Sequence, residues 1–253
     1  MPAAYEHHLV PVVFRPFAAD LAARAARLHP RRILELAAGT GALTSALLAA
    51  APSAEVTATD LNEAMVALGS ARAPGALWLQ ADAQRLPFPD GSFDLVACQF
   101  GVMFFPDRVA AYTEVRRVLA PGGRFLFTTW GPLDTHAFGA ALQAGLERAF
   151  PADPPQFLRT VPHGYADPAA VAADLAAAGL AVAEEQELTL EGRAPSAADV
   201  ATGFLAGTPV RAAVEERGGG PSAVAAVTEE MTSRLGPGPV TAPMTAYVFL
   251  ATA

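Results

Sequence analysis

Apolar and polar residues follow one another in short blocks along the first 130 residues, and the blocks switch between the periods of strands and helices. Short apolar runs predict strands at residues 32–36, 55–59, 77–81, 94–100 and 124–130. Between them, apolar residues at helical spacing predict helices at residues 20–28, 41–50, 62–71 and 108–119. Because strands and helices alternate with short connections, we expect an α/β fold with a doubly wound, mostly parallel sheet covered on both faces.

The second half of the chain has a less regular pattern. Helical spacing covers residues 137–150, 168–178 and most of 196–235, where the sequence GGGP at 218–221 interrupts it. Strand patterns occupy residues 181–190 and 245–253. We expect the helical residues that precede the final strand to form an insertion, or lid, over the edge of the sheet.

Composition narrows the function classes. Hydrophobic residues make up 52% of the 253 residues and charged residues 17%, which fits a chain with a large buried core. The net charge of −8 and the scattered positions of the 17 basic residues argue against a nucleic-acid partner. Cys98 is the only cysteine, so neither an intrachain disulfide nor an all-cysteine metal site can form, and we expect no metal site. Without a signal sequence or a run of about 18 apolar residues, we expect a soluble cytoplasmic protein with no membrane span.

A turn of small residues, AAGTG at 37–41, joins the first strand to the helix that follows it. Either the turn is tight for packing alone, or a ligand must approach the backbone there. Asp60 ends the second strand, 21 positions after Gly39, where a carboxylate can accept hydrogen bonds from both hydroxyls of a ribose. Thr44 stands where a dinucleotide-binding turn has its third glycine, and Glu35 suits an ammonium better than a phosphate. Asp60 is also a candidate N-cap for the next helix.

A second carboxylate follows the third predicted strand. Asp82 follows it directly and Ala83 comes next, before a short loop to the fourth strand. A carboxylate followed by a backbone N–H supplies the acceptor and donor that the exocyclic amine and N1 of an adenine need. Together with Asp60, this pair predicts a nucleoside site at the carboxyl ends of the strands.

Four segments between residues 30 and 130 resemble, in order and spacing, the motifs of the class I S-adenosylmethionine-dependent methyltransferases. They are ILELAAGTG, TATDLNEAM, QADAQRLPFPDGSFDLVACQFGVMFFPD and VLAPGGRFLFTTW. The likeness is greatest to the small-molecule branch, methyltransferase type 11, that includes ubiquinone-biosynthesis enzymes. It implies a Rossmann-like seven-stranded sheet, S-adenosylmethionine as cofactor and S-adenosylhomocysteine as product. The implied activity is methyl transfer to a small hydrophobic or aromatic acceptor, on oxygen, nitrogen or carbon, by a monomer or homodimer.

The resemblance also implies a domain organisation and a set of site residues. The chain would be a single domain over 1–253, with its cofactor-binding core at about 20–130 and substrate-lid elements at 1–19, 131–165 and 196–235. Glu35 would set the glycine loop, Asp60 would hold the ribose, and Asp82 with Ala83 would bind the adenine edge. The remaining implied contacts to the cofactor are Ala37, Gly39, Thr40, Gly41, Leu61, Met65, Gln99 and Phe100.

Candidate bases and rival functions stay open at this stage. His7, His8 and His136 lie in the predicted lid elements and are candidate general bases, because an imidazole titrates near neutral pH. A non-catalytic S-adenosylmethionine-binding protein of the same fold is one alternative. An NAD-dependent oxidoreductase is another, although the chain has no lysine for a catalytic Tyr/Lys pair and lacks the third glycine of a dinucleotide turn.

Overall fold

The computed structural model describes residues 2–253, which form a seven-stranded sheet with flanking helices. The strand order is β3-β2-β1-β4-β5-β7-β6, and parallel pairing joins β1 to β2 and β4, β2 to β3, and β4 to β5. The predicted doubly wound, seven-stranded α/β fold is therefore confirmed. The strands are β1 Arg32–Glu35, β2 Glu55–Asp60, β3 Leu77–Gln80, β4 Phe93–Gln99, β5 Leu119–Trp130, β6 Ala181–Ala194 and β7 Val240–Thr252.

The helices follow the predicted pattern closely through the first half. Asn62 and Asp107 cap two of them by accepting from backbone N–H groups of the first turn, as residues of this type do at helix starts. The α-helices are α1 Pro2–Ala4, α2 Arg15–Arg27, α3 Ala42–Ala50, α4 Glu63–Arg72, α5 Arg108–Val118, α6 Ala137–Ala149, α7 Phe157–Thr160, α8 Pro168–Ala177, α9 Ala197–Gly207, α10 Val210–Glu216 and α11 Pro221–Leu235.

The start of β5 differs from the prediction. The sequence APGG at 120–123 suggested a turn before a strand at residue 124, but β5 already begins at Leu119. Phe93 of β4 pairs with Leu119 and Leu95 pairs with Arg124, so residues 120–123 bulge out between two paired positions. Gly122 takes a left-handed backbone, φ +79°, inside this excursion, which is the conformation that glycine allows at little cost.

The N-terminal residues also differ, since no helix was predicted before residue 20. Tyr5–Phe14 form a π-helical segment between α1 and α2. In an α-helix, Pro11 would remove a backbone hydrogen bond and press its ring on the carbonyl of residue 7. The wider π turn accommodates that proline, and π segments are frequent at functional sites.

Two compact units divide the chain. One comprises residues 17–129, 165–188 and 246–253, and its core contains Leu21, Ile33, Leu47, Leu95 and Val248. Of the described residues, the other comprises 2–16, 130–164 and 189–245. In this second unit α6 packs against α11 so closely that a Cβ on Gly145 would lie 2.9 Å from Cα of Val227. We call them the sheet unit and the helical unit.

None of the helices in residues 2–253 combines the length and the apolar character that crossing a membrane requires. The description of the chain as one domain with lid elements stays a prediction.

Candidate functional site

The carboxyl ends of β1, β2 and β4 define the candidate site in the sheet unit. β1 lies between β2 and β4, and the chain runs outward from β1 through β2 to β3 before it returns to β4 on the other side of β1. Such a switch point leaves a crevice outside the strand ends, which is where open α/β sheets bind their ligands. The turn at residues 37–41 lies at this point, directly after β1.

Left-handed backbone conformations shape that turn. Ala37 has φ +51°, Gly39 φ +57° and Gly41 φ +87°. A Cβ on Gly39 would meet nothing within 4 Å, so space remains open beside this residue. The N–H of Ala38 donates to the carbonyl of Thr59 at 2.9 Å, which ties the turn to the end of β2. Thr40 is buried. The turn therefore leaves room for a ligand beside Gly39, as close approach to the backbone requires.

Asp60 links the turn to the loop after β2. One carboxylate oxygen accepts from the N–H of Gly39 at 2.8 Å, and the other accepts from the N–H of Asn62 at 2.8 Å. Each oxygen keeps a further lone pair for a hydroxyl. The side chain of Asn62, not of Asp60, caps α4 by accepting from Ala64, so the alternative role of Asp60 as N-cap was wrong.

Glu35 lies below the turn, 1% exposed. Its carboxyl accepts from the hydroxyl of Thr44 in α3 at 2.6 Å. Burial raises the pKa of Glu35 to about 8, and the charge of Asp60 adds to that rise, while the bond from Thr44 opposes it. The carboxyl is thus neutral at pH 7 and joins β1 to α3.

The loops after β2 and β3 carry the expected adenine contacts. Leu61 is 67% exposed, and its carbonyl accepts from the side-chain amide of Gln80 at 2.9 Å. Met65 is half-buried in α4, one turn further on. A carboxylate oxygen of Asp82 accepts from the N–H of Gln84 at 2.9 Å, and Ala83 is partly exposed. An unusually exposed apolar side chain and a carboxylate thus stand at the same ends of neighbouring strands.

Phe100 takes an unusual backbone conformation directly after β4, and its contact with the cofactor stays a prediction. Its backbone is left-handed, φ +54°, and its N–H donates to the carbonyl and hydroxyl oxygens of Thr128 at 3.2 and 3.1 Å. The ring is buried and packs edge-on against Phe17 of α2, with centroids 5.2 Å apart. Gln99, the last residue of β4, is half-buried. The strained backbone of residue 100 therefore bends the chain at the strand end.

Sequence reasoning missed Gly101. A Cβ on this residue would lie 2.5 Å from Cβ of Ala37 and 2.7 Å from Sγ of Cys98, so only glycine lets the chain after β4 pass against the turn after β1. The sequence did offer a signal for it, a glycine that directly follows the predicted strand at residues 94–100. Cys98 itself is buried, and burial raises the pKa of its thiol to about 12, which fits an inert core residue.

The candidate histidines belong to the helical unit. The rings of His7 and His8 meet edge-on, with centroids 4.7 Å apart, and Nδ1 of His8 lies 3.9 Å from a carboxylate oxygen of Asp199. His136 is 2% exposed and packs against the rings of Trp130 and His163. Among residues 2–253 no group of three or more His, Cys, Asp or Glu could hold a metal ion.

His136 has a geometry that disfavours the role of general base. Its Nδ1 accepts from the N–H of Gly139 at 3.1 Å and so caps α6. The ring proton is therefore on Nε2, and no lone pair remains for a substrate. Burial lowers the pKa of His136 to about 3, and the neighbouring His163 contributes to that fall. The structure thus gives His136 a capping role, and its catalytic role stays a prediction.

The comparisons with known proteins agree with this geometry. A family model described as a methyltransferase domain matches residues 34–127. The demethylmenaquinone methyltransferase of Thermus thermophilus is 42% identical over 142 residues, covering 54% of this chain and 63% of its own. The malonyl-[acyl-carrier protein] O-methyltransferase of Halorhodospira halophila is also 42% identical, over 121 residues that cover 46% of this chain and 40% of its own. These alignments thus span less than two thirds of the curated relatives.

A solved structure extends the likeness to the whole fold. The YcgJ protein of Bacillus subtilis superposes with a TM-score of 0.60 over 93% of this chain and 97% of its own, at 19% identity. Such a low identity supports the fold alone. The family match covers the turn at 37–41, Asp60, Asp82 and the end of β4, the same residues that form the crevice. Over residues 34–127 the chain is therefore similar to methyltransferase domains, and both curated relatives described above are methyltransferases by name.

Proposed function

We propose that the chain transfers a methyl group from S-adenosylmethionine to a small apolar or aromatic acceptor. The observation that carries the proposal is the turn at residues 37–41, with open space beside Gly39 and with the N–H of Gly39 held by Asp60. The residues fit this cofactor, because a compact turn, a carboxylate and an exposed apolar side chain follow one another along the strand ends. Both relatives described above are methyltransferases by name.

In this proposal the chain's residues bind and orient the cofactor. The turn from Ala37 to Gly41 lies against its methionine part, and the free lone pairs of Asp60 accept from the ribose hydroxyls. Leu61 is exposed where an apolar ring would cover it, so it packs on the adenine, with Met65 beside it. The carboxylate of Asp82 and the N–H of Ala83 bind the adenine edge. Thr40 and Gln99 complete the contacts; for Phe100 the backbone, not the buried ring, makes the contact.

Glu35 has an indirect role in the same proposal. Its carboxyl is buried and bonded to Thr44, so it fixes the direction in which β1 enters the turn. An ammonium close to the turn favours the ionised carboxylate and lowers the raised pKa of Glu35. Binding of the cofactor is therefore linked to release of a proton from this residue at neutral pH.

Methyl transfer needs little from the chain beyond position. The bound cofactor supplies an activated methyl group on a sulfonium, which is a good leaving group. The residues around the crevice hold the reactants in line and exclude water, which together account for much of the rate gain in such displacements. A base is required only for an acceptor that must lose a proton, and His7 and His8 remain the candidates whose ring nitrogens have no capping role.

The acceptor is proposed only as a class. The two relatives with equal identity carry names that specify demethylmenaquinone and malonyl-[acyl-carrier protein], so likeness over the matched domain does not select one acceptor. In the helical unit, the rings of Tyr5, Phe14 and Trp130 succeed one another at centroid distances of 5.1 and 6.3 Å. Such a run of aromatic rings favours a flat apolar molecule.

Two measurements test the proposal. Calorimetric titration should show micromolar binding of S-adenosylhomocysteine and no binding of NAD; the reverse result would reject the assignment in favour of an oxidoreductase. Incubation with S-adenosylmethionine and a panel of phenols, quinols, amines and carboxylic acids should yield one product heavier by a methyl group in mass spectrometry. Binding without any product across the panel would favour a non-catalytic protein of the same fold.

A further inference from the structure

Trp78 packs against the last residue of the turn at residues 37–41 and is not itself one of the proposed ligand contacts. It is a residue of the edge strand β3 and is half-buried. Its indole N–H donates to the carbonyl of Ala73, the residue after α4, at 3.1 Å. That bond fixes which way the ring leaves the strand, because an indole has a single donor and no acceptor.

The indole ring of Trp78 explains why a glycine stands at position 69 of α4. Gly69 is in the interior of this helix, where glycine costs about 1 kcal/mol relative to alanine. A Cβ on Gly69 would lie within 2.8 Å of three carbons of the Trp78 ring, Cζ2, Cζ3 and Cη2. The glycine is therefore needed for the ring to lie this close to the helix, and the ring and the helix pack directly on each other.

The same edge of the indole reaches the turn. A Cβ on Gly41 would lie 3.2 Å from Cζ2 and 3.3 Å from Cη2 of Trp78. Gly41 has φ +87° and is the N-cap of α3, so it sets both the end of the turn and the start of the helix. One rigid side chain thus packs against α4, which follows Asp60, and against the last residue of the turn.

We propose that Trp78 is a positioning residue for the cofactor: its indole keeps the turn at residues 37–41 and helix α4 in their binding arrangement before the cofactor arrives. The inference rests on the proposed function, because it takes the turn as the cofactor's. When the turn is already ordered, no binding free energy is lost in ordering it. Packing that holds the turn in place therefore raises the affinity for the cofactor. Neither Trp78 nor Gly69 belongs to the implied set of contacts.

The test compares three variants by calorimetry with S-adenosylhomocysteine. Trp78→Leu and Gly69→Ala should each weaken binding about tenfold, because the first removes the ring and the second displaces it. The double variant should bind no more weakly than Trp78→Leu alone, since the added methyl group then has no ring to displace. Circular dichroism must show each variant to be folded at the titration temperature. If Trp78→Leu does not fold, Trp78→Phe replaces it, because a single ring does not extend to Gly41.

Gly145→Ala is the matched control. It too places a Cβ on a helical glycine in a crowded position, against Val227, but in the helical unit. It should lower the melting temperature and leave the affinity for S-adenosylhomocysteine unchanged. With an acceptor from the screen, Trp78→Leu should raise KM for S-adenosylmethionine about tenfold and change kcat by less than about twofold, which a merely structural loss would not do.

The outcomes separate this inference from the proposed function. Failure of the unaltered chain to bind S-adenosylhomocysteine would reject the proposed function, and the role of Trp78 with it. Normal binding by the unaltered chain, together with folded Trp78→Leu and Gly69→Ala variants of equal affinity, would reject the role of Trp78 alone. A double variant whose loss equals the product of the two single losses would also reject it, because the ring and the glycine would then act independently.

Discussion

The carboxylate of Asp60 has two roles, one in holding the loops after β1 and β2 and one in the proposed contact with the ribose. Both of its oxygens already accept from backbone N–H groups, at Gly39 and Asn62, while the proposed ribose contact uses the remaining lone pairs. Asp60→Ala should weaken binding of S-adenosylhomocysteine at least about tenfold, because both the loop and the hydroxyls lose their acceptor. Calorimetric titration measures this. An affinity equal to that of the unaltered chain would remove Asp60 from the site.

Asp94 provides the matched control for that change. It also accepts from two backbone N–H groups, of Arg31 and Arg32, at 3.0 and 2.9 Å, but near the opposite ends of the strands. Asp94→Ala should lower the melting temperature, because the same kind of backbone bond is lost, and leave the affinity intact. Equal losses of affinity in both variants would mean that Asp60 acts only through stability.

At the scale of elements, Arg117 of α5 holds the loop between β3 and β4. Its guanidinium donates to the carbonyls of Phe88 and Leu86 at 2.7 and 3.0 Å, and to the carboxylate of Glu114, which itself accepts from the N–H of Leu86. The flat fork of five donors makes this possible, and a lysine ammonium cannot reproduce it. Arg117→Lys should therefore destabilise the chain by about 1–3 kcal/mol, measured by urea unfolding.

Arg211→Lys is the appropriate comparison for Arg117→Lys. Arg211 forms an exposed ion pair with Glu215, four residues along α10, at 2.7 Å. Exposed pairs of this kind contribute roughly 0.3–0.5 kcal/mol, so the substitution should change stability by less than that. If Arg117→Lys were as mild as Arg211→Lys, the guanidinium would not be what fixes the loop.

The elements also show what the sequence could predict. Strands β1 to β4 and the helices beside them follow from hydrophobic period and turn residues, and the ends of parallel strands bring Asp60 and Asp82 to one edge. The π segment around Pro11 did not follow, because a proline reads locally as a break in a helix. Neither did the packing of Trp78 on Gly69, nor the buried ring of Phe100. Each of these depends on contacts between elements far apart in sequence.

Over the whole molecule, buried titratable groups give the two units opposite responses to pH. In the helical unit, burial lowers the pKa of His136 to about 3 and also lowers that of His163. Below about pH 6.5 the unfolded chain takes up protons that the folded unit does not, so stability falls as the pH falls. In the sheet unit, the pKa of Glu35 is raised to about 8. Above about pH 4.5 the unfolded chain releases a proton that the folded unit keeps, so stability falls as the pH rises.

Two variants that keep the hydrogen bond of the original side chain but do not titrate separate the two pH dependences. His136→Asn keeps an acceptor for the N–H of Gly139 and does not titrate. Relative to the unaltered chain, the free energy of unfolding of His136→Asn should rise by about 2 kcal/mol, or its Tm by about 4–8 °C, on going from pH 7 to pH 5.

Glu35→Gln keeps an acceptor for the Thr44 hydroxyl. Its free energy of unfolding, relative to that of the unaltered chain, should rise in the opposite direction, from pH 5 to pH 8. Melting curves at pH 5, 7 and 8 measure both differences, and the fixed cost of each substitution cancels between pH values. Parallel melting temperatures of variant and unaltered chain across this range would show that the group titrates alike in the folded and unfolded states.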